Sequence, residues 1–336
     1  MNPLARACAL VLATLTLSAV AAPPARTLTL GAYTTPREAY GKAIIPAFQR
    51  YWKQKTGQEV RFQESYLGSG AQARAIAGGF EADVAALSLE ADVDTLAKAG
   101  LIQRDWRAGR TQGMVTRSVV VIAVRKGNPK AVRDWDDLRR KGLEVLTPNV
   151  RTSGGAKWNV CALYGAATRG GTSVKKGDAA GAAALLTDVL RNVTVMDKGA
   201  RESMINFEKG VGDVAITYEN EVLVGRKSGE TYEYVVPKST ILIENPAAVV
   251  DKYADKHGNR DLAEAFVAFL ATPEAQRAFA EYGLRPVDAA VAKETSKQFP
   301  TVRDLFSIRD LGGWAQVEKT LFAPDGVYER AMAAAR

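Results

Sequence analysis

Apolar positions along this chain alternate between two periods. The segments "TLTLGAY" (27–33), "EVRFQESY" (59–66), "ADVAALS" (82–88) and "TRSVVVIAVRKG" (116–127) carry the short or alternating apolar runs of strands. Between them, Pro36 to about Lys55, Gly70 to Gly79 and "VDTLAKAG" (93–100) space their apolar residues as helices do. The alternation continues through "LEVLTPN", a helix from Gly155 carrying Trp158, Leu163 and Tyr164, the strand "VTVMD", and a helix from about Arg201 to Lys209. "DVAITYENE" (213–221) reads as a strand, "YEYVVPKSTILIENPAAVV" (232–250) as extended, and the chain beyond Arg260 as mostly helical. Strand-then-helix order argues an α/β fold with mainly parallel sheets flanked by helices. Two lobes joined by extended crossovers fit better than one long sheet. The expected limits are 27–115 plus 241–336 for lobe one and 116–240 for lobe two. A length of 336 residues suits two domains of about 150 residues each.

The N-terminal stretch changes the picture of where the protein works. Arg6 precedes an apolar run from Ala7 to Leu17, and Ala19-Val20-Ala21 forms a small-residue cleavage pattern. Residues 1–21 are expected to be a cleaved signal peptide, since the run is too short to span a bilayer. Cys8 leaves with it, so Cys161 is the one remaining thiol, and no internal disulfide framework is expected. Such a chain suits a bacterial periplasm and must rest on a large core. Cys161 itself is expected to be a buried, inert small side chain.

Charge and candidate chemistry narrow the function classes. The formal charge is +8 and the sequence pI is about 9.4, which admits nucleic acid, anionic lipid or a small anion as partner. The basic runs "RYWKQK", "RKGNPK" and "VKKGD" are short and form no stripe with aromatics, so no nucleic acid is expected. His257, the sole histidine, lies in the turn-like "DKHGN" and is expected to be a solvent-exposed loop residue, a poor base for a Ser-His-Asp triad, and a His-rich metal site is excluded. Cys161 has no partner for zinc, and no phosphate-cradling G-x-x-x-x-G-K-[ST] segment occurs. Glu219 and Glu221 would share one strand face and repel, a weak basis for acid–base catalysis. No catalytic residue, metal or cofactor is expected.

Small residues recur where strands give way to helices: Thr34-Thr35 before Pro36, Ser69 in "GSGAQA", Ser153-Gly154-Gly155 in "TSGGAKW", and Gly199-Ala200 in "DKGARES". Helix entrances carry N–H groups without intrahelical partners at the positive end of the dipole, and both features attract anions. Glycine costs roughly 1 kcal/mol against Ala within a helix, but it bares those donors. In open α/β sheets ligands sit outside the carboxyl ends of the strands, so four entrances can converge on one cleft. Neutral donors without a facing acceptor suit a fully ionised tetrahedral oxyanion.

The chain resembles the periplasmic sulfate/thiosulfate-binding proteins of ABC importers. The resemblance runs over nearly the whole mature chain, through "WKQKTGQEV", "GSGAQA", "VRKGNPKAVRDWDDL", "TPN" with "TSGGAKWN", "GARESMINFEKGVGDVAITYENE", "TPEAQ" and "GGWAQVEKTLF". It implies a type II periplasmic binding protein that closes about a hinge on a buried anion. Carried over by position, it implies ligand contacts at Thr34, Ser69, Ser153, Gly154, Gly155, Ala200 and Tyr218. The family usually has Asp where Thr34 stands, His-Gly at Tyr66-Leu67, "NPK" at Asn149-Val150-Arg151, and commonly Trp at Tyr218. A phenol accepts as well as donates, unlike an indole, so phosphate or molybdate stays open beside sulfate and thiosulfate. The resemblance implies a monomer that hands its ion to an inner-membrane ABC permease. The alternatives are an exported hydrolase of sulfate or phosphate esters and a regulatory domain of the same fold.

Overall fold

The computed structural model describes residues 24–336; the expected signal peptide lies outside the described residues. Ten strands form: β1 (Arg26–Tyr33), β2 (Val60–Leu67), β3 (Val84–Ala86), β4 (Met114–Val124), β5 (Val145–Leu146), β6 (Val193–Val195), β7 (Val214–Tyr218), β8 (Glu233–Val235), β9 (Ser239–Val249) and β10 (Asp304–Phe306). They run in the order β2-β1-β3-β9-β4-β7-β5-β6, with β10 on β9 and β8 on β4. β1 pairs in parallel with β2 and β3, and β5 with β6 and β7. The antiparallel ladders all involve the long strands β4 and β9. These two pair with each other across Met114–Val119 and Leu242–Pro246, then diverge: β4 enters the β7 sheet and β9 the β3 sheet. They are the extended crossovers that join the two lobes.

Each lobe has apolar layers on both faces of its sheet, which is why its strands read as near-continuous apolar runs. On β4, Val120, Ile122 and Val124 enter one layer while Val119, Val121 and Ala123 enter the other, the two-residue period of a strand. In lobe one, Phe48 lies 5.0 Å from Phe266 and 5.5 Å from Phe269, ring centre to ring centre. The helical run carrying Phe48 extends from Arg37 to Thr56 with a π-type turn at Tyr40–Ile44. It ends at Gly57, whose φ of 72° is one that residues with a side chain rarely adopt.

Three features differ from the sequence expectation. "DVAITYENE" is not one strand: β7 stops at Tyr218, and Glu219 opens the helix Glu219–Lys227. Acidic residues suit the positive end of a helix, and the two glutamates part company there. Glu219 meets Arg285 at 2.6 Å, whereas Glu221 faces Arg201 at 3.0 Å. The Ala179–Arg191 helix has no counterpart in the sequence expectation, since alanines and Gly181 blur its apolar stripe; Leu185, Leu186 and Val189 are buried. The segment 304–336, grouped with lobe one by its helical pattern, packs on lobe two. There β10 pairs with the first residues of β9, and Phe306, Trp314, Leu321 and Tyr328 share a core with Trp135 and Trp158. Periodicity identifies an apolar face but not the apolar surface that receives it.

Cys161 is fully buried, and burial pushes its thiol up, out of the reactive range. His257 does lie in a turn, but its two ring nitrogens meet Asp83 at 2.8 Å and Glu81 at 3.0 Å.

Candidate functional site

The carboxyl ends of the strands deliver the small-residue entrances to one place. β1 ends at Tyr33 and yields Thr34. β2 ends at Leu67, and Gly68 leads into the helix Ser69–Ala77. From lobe two, Ser153 caps the helix Gly154–Thr168, its Oγ accepting the Ala156 N–H at 3.4 Å. Gly199 precedes the helix Ala200–Glu208. Thr34, Ser69, Ser153, Gly154, Gly155, Ala200 and Tyr218 are all buried.

Close approaches tie these residues together. A Cβ placed on Gly155 would lie 2.7 Å from Tyr218 Cε2, 3.2 Å from Ala200 Cβ and 3.3 Å from Ser153 Oγ. The lobe-two residues thus form one cluster, with glycine required where the tyrosine ring edge passes. Lobe one meets this cluster through Ser88, at the end of β3. Its hydroxyl lies 2.6 Å from the Tyr218 hydroxyl, and its N–H donates to Ser69 Oγ at 2.9 Å. Its carbonyl accepts from Trp158 Nε1 at 3.0 Å and from Asn245 Nδ2 at 3.1 Å. Thr34 is linked through Gly199, on which a Cβ would come within 3.2 Å of Thr34 Oγ1. All seven expected positions belong to this one assembly.

The lobes are in contact around it. Ala71 N–H donates to the Thr152 carbonyl at 3.1 Å, and a Cβ on Gly68 would lie 2.5 Å from that oxygen and 2.7 Å from the Lys198 carbonyl. Tyr66 is engaged elsewhere. Its hydroxyl donates to Glu64 at 2.6 Å, and its ring lies under Arg37. Leu67 is exposed.

Among the described residues, the main-chain N–H groups of Ser69, Gly154, Gly155 and Ala200 have no protein acceptor. The Ser69 hydroxyl departs from expectation. It donates to Asp92 Oδ2 and accepts from Ser88 N–H, so its hydrogen is committed and the residue offers its main-chain donor instead. Burial raises the Asp92 carboxyl, against the opposing hydrogen bond from Ser69. Burial also raises the Tyr218 phenol, which stays protonated and able to donate at neutral pH.

The arginine next to Ala200 is already paired. Arg201 reaches across to Glu38 of lobe one at 2.9 Å and to Glu221 at 3.0 Å. The Glu221 contact lacks hydrogen-bond alignment, and burial pushes that carboxyl up to about 7 although Arg201 opposes the shift. The positive pole that remains is built from main-chain dipoles, whose strength grows where water is excluded. Among the described residues no three His, Cys, Asp or Glu side chains gather to hold a metal ion.

Residues 28–285 match the family profile of bacterial extracellular solute-binding proteins. The chain belongs to that family. It is 44% identical over 305 residues to the sulfate-binding protein of Synechococcus elongatus, covering 90% of this chain and 85% of that protein. It is 36% identical over 305 residues to the thiosulfate-binding protein of Pseudomonas aeruginosa, covering 89% and 90%. The solved sulfate-binding protein SubI from Mycobacterium tuberculosis H37Rv superposes with a TM-score of 0.81 at 39% identity, over 89% of this chain and all of that one. Within this solute-binding architecture, sequence reasoning missed Ser88 and Asp92. Ser88 had a signal: a lone hydroxyl between Leu87 and Leu89 at the carboxyl end of a strand, where ligands of open sheets gather. Asp92 had none, because its meaning depends on Ser69, 23 residues earlier.

Proposed function

We propose that this protein captures sulfate, or thiosulfate, outside the cytoplasm and delivers it to an ABC permease without chemical turnover. The observation that carries this reading is the set of acceptorless main-chain donors, Ser69 from lobe one and Gly154, Gly155 and Ala200 from lobe two, meeting at one buried assembly. Such donors cannot neutralise an anion by transferring a proton. They stabilise it by fixed dipoles, each charge-assisted bond contributing on the order of 1.5–3 kcal/mol before the anion's dehydration is subtracted. The Tyr218 and Ser153 hydroxyls and Thr34 complete the ligand set. The names of the similar proteins support the choice of anion and a binding rather than enzymatic role.

In this reading lobe one comprises 27–115 plus 241–303, and lobe two 116–240 plus 304–336. β4 and β9 act as the hinge, and the ion is gripped only when the lobes meet. The protein works as a periplasmic monomer released by cleavage of residues 1–21. Titration calorimetry of ligand-free protein with sulfate, thiosulfate, phosphate and molybdate tests the reading. Saturable heat with sulfate or thiosulfate, together with compaction in small-angle scattering, is expected. Absence of both with every oxyanion sinks it.

A further inference from the structure

We propose that Ser88 is a specificity-determining residue of this cleft: paired with Tyr218, it supplies a reversible hydrogen bond that lets the cleft take proton-bearing tetrahedral dianions, such as hydrogen phosphate, as well as proton-free ones. The inference rests on the oxyanion-binding reading above and deepens it.

The two hydroxyls lie 2.6 Å apart in a buried setting, and either can be the donor. With a proton-free anion, Ser88 donates to Tyr218 Oη and Tyr218 donates to the anion. With a protonated oxygen opposite, the anion's hydroxyl donates to Tyr218 Oη, and Tyr218 turns its hydrogen to Ser88 Oγ. Tyr218 keeps one donated and one accepted bond in both arrangements, and no proton changes owner. In the reversed arrangement the hydrogen of Ser88 is left without a partner, so the proton-free anion remains the tighter ligand.

Most other groups of the site offer little acceptor capacity. Main-chain N–H groups only donate. The Ser69 oxygen already accepts from Ser88 N–H while its hydrogen goes to Asp92. The Ser153 oxygen accepts from Ala156 N–H, which leaves its hydrogen free to donate. Thr34 Oγ1 and Glu202 Oε2, a buried oxygen without a hydrogen-bond partner, both lie beside Gly199; they are the competing acceptors and belong in the test. Ser88 is held for its role on every side. Its N–H and C=O are bonded to Ser69, Trp158 and Asn245, and Gly154 packs against its side chain. The hydroxyl is thereby fixed where Tyr218 needs it.

The experiment is calorimetry of the wild type, Ser88→Ala, Tyr218→Phe, Thr34→Ala and Glu202→Gln with sulfate, selenate and phosphate. It is run at a mildly alkaline pH where phosphate is the singly protonated dianion; selenate controls for ion size. Wild type is expected to bind all three, sulfate most tightly. Ser88→Ala is expected to weaken phosphate by about tenfold more than it weakens sulfate and selenate, because Tyr218 is left with a buried hydrogen and no acceptor. Tyr218→Phe is expected to weaken all three. Retained sulfate binding shows that each variant is folded. Wild type that binds sulfate but not phosphate overturns the inference while leaving the proposed function standing. Equal weakening of all three ions by Ser88→Ala, or a selective loss of phosphate in Thr34→Ala or Glu202→Gln alone, overturns it too. Failure of wild type to bind any of the ions removes the function reading on which it rests.

Discussion

The two glycine-bearing entrances, Gly68-Ser69 in lobe one and Ser153-Gly154-Gly155 in lobe two, look alike as strings but do different work. In lobe one the glycine precedes the helix, and its missing side chain admits the backbone of the other lobe, the carbonyls of Thr152 and Lys198. In lobe two the glycines lie inside the first turn, and their missing side chains admit side chains: Ser88 against Gly154, Tyr218 against Gly155. The first glycine serves closure and the second pair serves the shape of the pocket. The helices behind them differ in the same sense. Gly154–Thr168 is fifteen residues long and buried on most sides, whereas Ser69–Ala77 is nine residues long and half exposed. The lobe-two entrance is the more deeply enclosed half of the site, and in lobe one Ser69 is braced by Asp92 and Ser88.

The comparison can be broken most sharply at Gly155. Gly155→Asp puts a carboxylate among the anion donors and against the Tyr218 ring, so calorimetry is expected to show no oxyanion binding while circular dichroism reports an intact fold. Full affinity in this variant would falsify the site assignment. Gly68→Ala comes next. Its backbone angles, φ −55° and ψ 140°, suit alanine, so the open protein should be undisturbed. The new Cβ meets two backbone oxygens only when the lobes close, and affinity is expected to fall on the order of tenfold or more. Ligand-induced compaction in small-angle scattering should shrink in parallel. If Gly68→Ala lowers the melting temperature of the ligand-free protein instead, Gly68 serves packing within its lobe and the contrast fails.

The Arg201 link, which joins both lobes beside the Ala200 entrance, sharpens the comparison through pH. Burial raises the Glu221 carboxyl from 4.5 to about 7, so between those values the folded state binds more protons than the unfolded one. The contribution of Glu221 to stability is present at and below about pH 4.5 and is lost as pH rises through 7. Glu221→Gln is expected to flatten that decline in thermal melts taken across the interval. The smallest effect is expected from Glu38→Gln, which cuts the lobe-one end of the link. A partly exposed pair of this kind is worth about 0.2–1 kcal/mol, or roughly one- to fivefold in affinity. The loss should fade as salt is added, a dependence that calorimetry at two ionic strengths reads directly.

Much of this was legible before any coordinates. Strand and helix periods, the two-lobe division and the helix entrances are local patterns, and a residue's neighbours in sequence set them. The entrances at Thr34, Ser69, Gly154 and Ala200 could be named because backbone donors at a helix start need no distant partner to exist. The use of each one depended on distance in space. The sequence could not show that the Ser69 hydroxyl is spent on Asp92, that Ser88 braces Tyr218, or that Glu219 and Glu221 turn to different arginines. Nor could it show that the last 33 residues, 304–336, cover lobe two. Each of those facts is a choice among chemically equivalent partners far apart in the chain. A pattern along the sequence records only that a polar atom or an apolar face needs a partner; packing in three dimensions decides which one it gets.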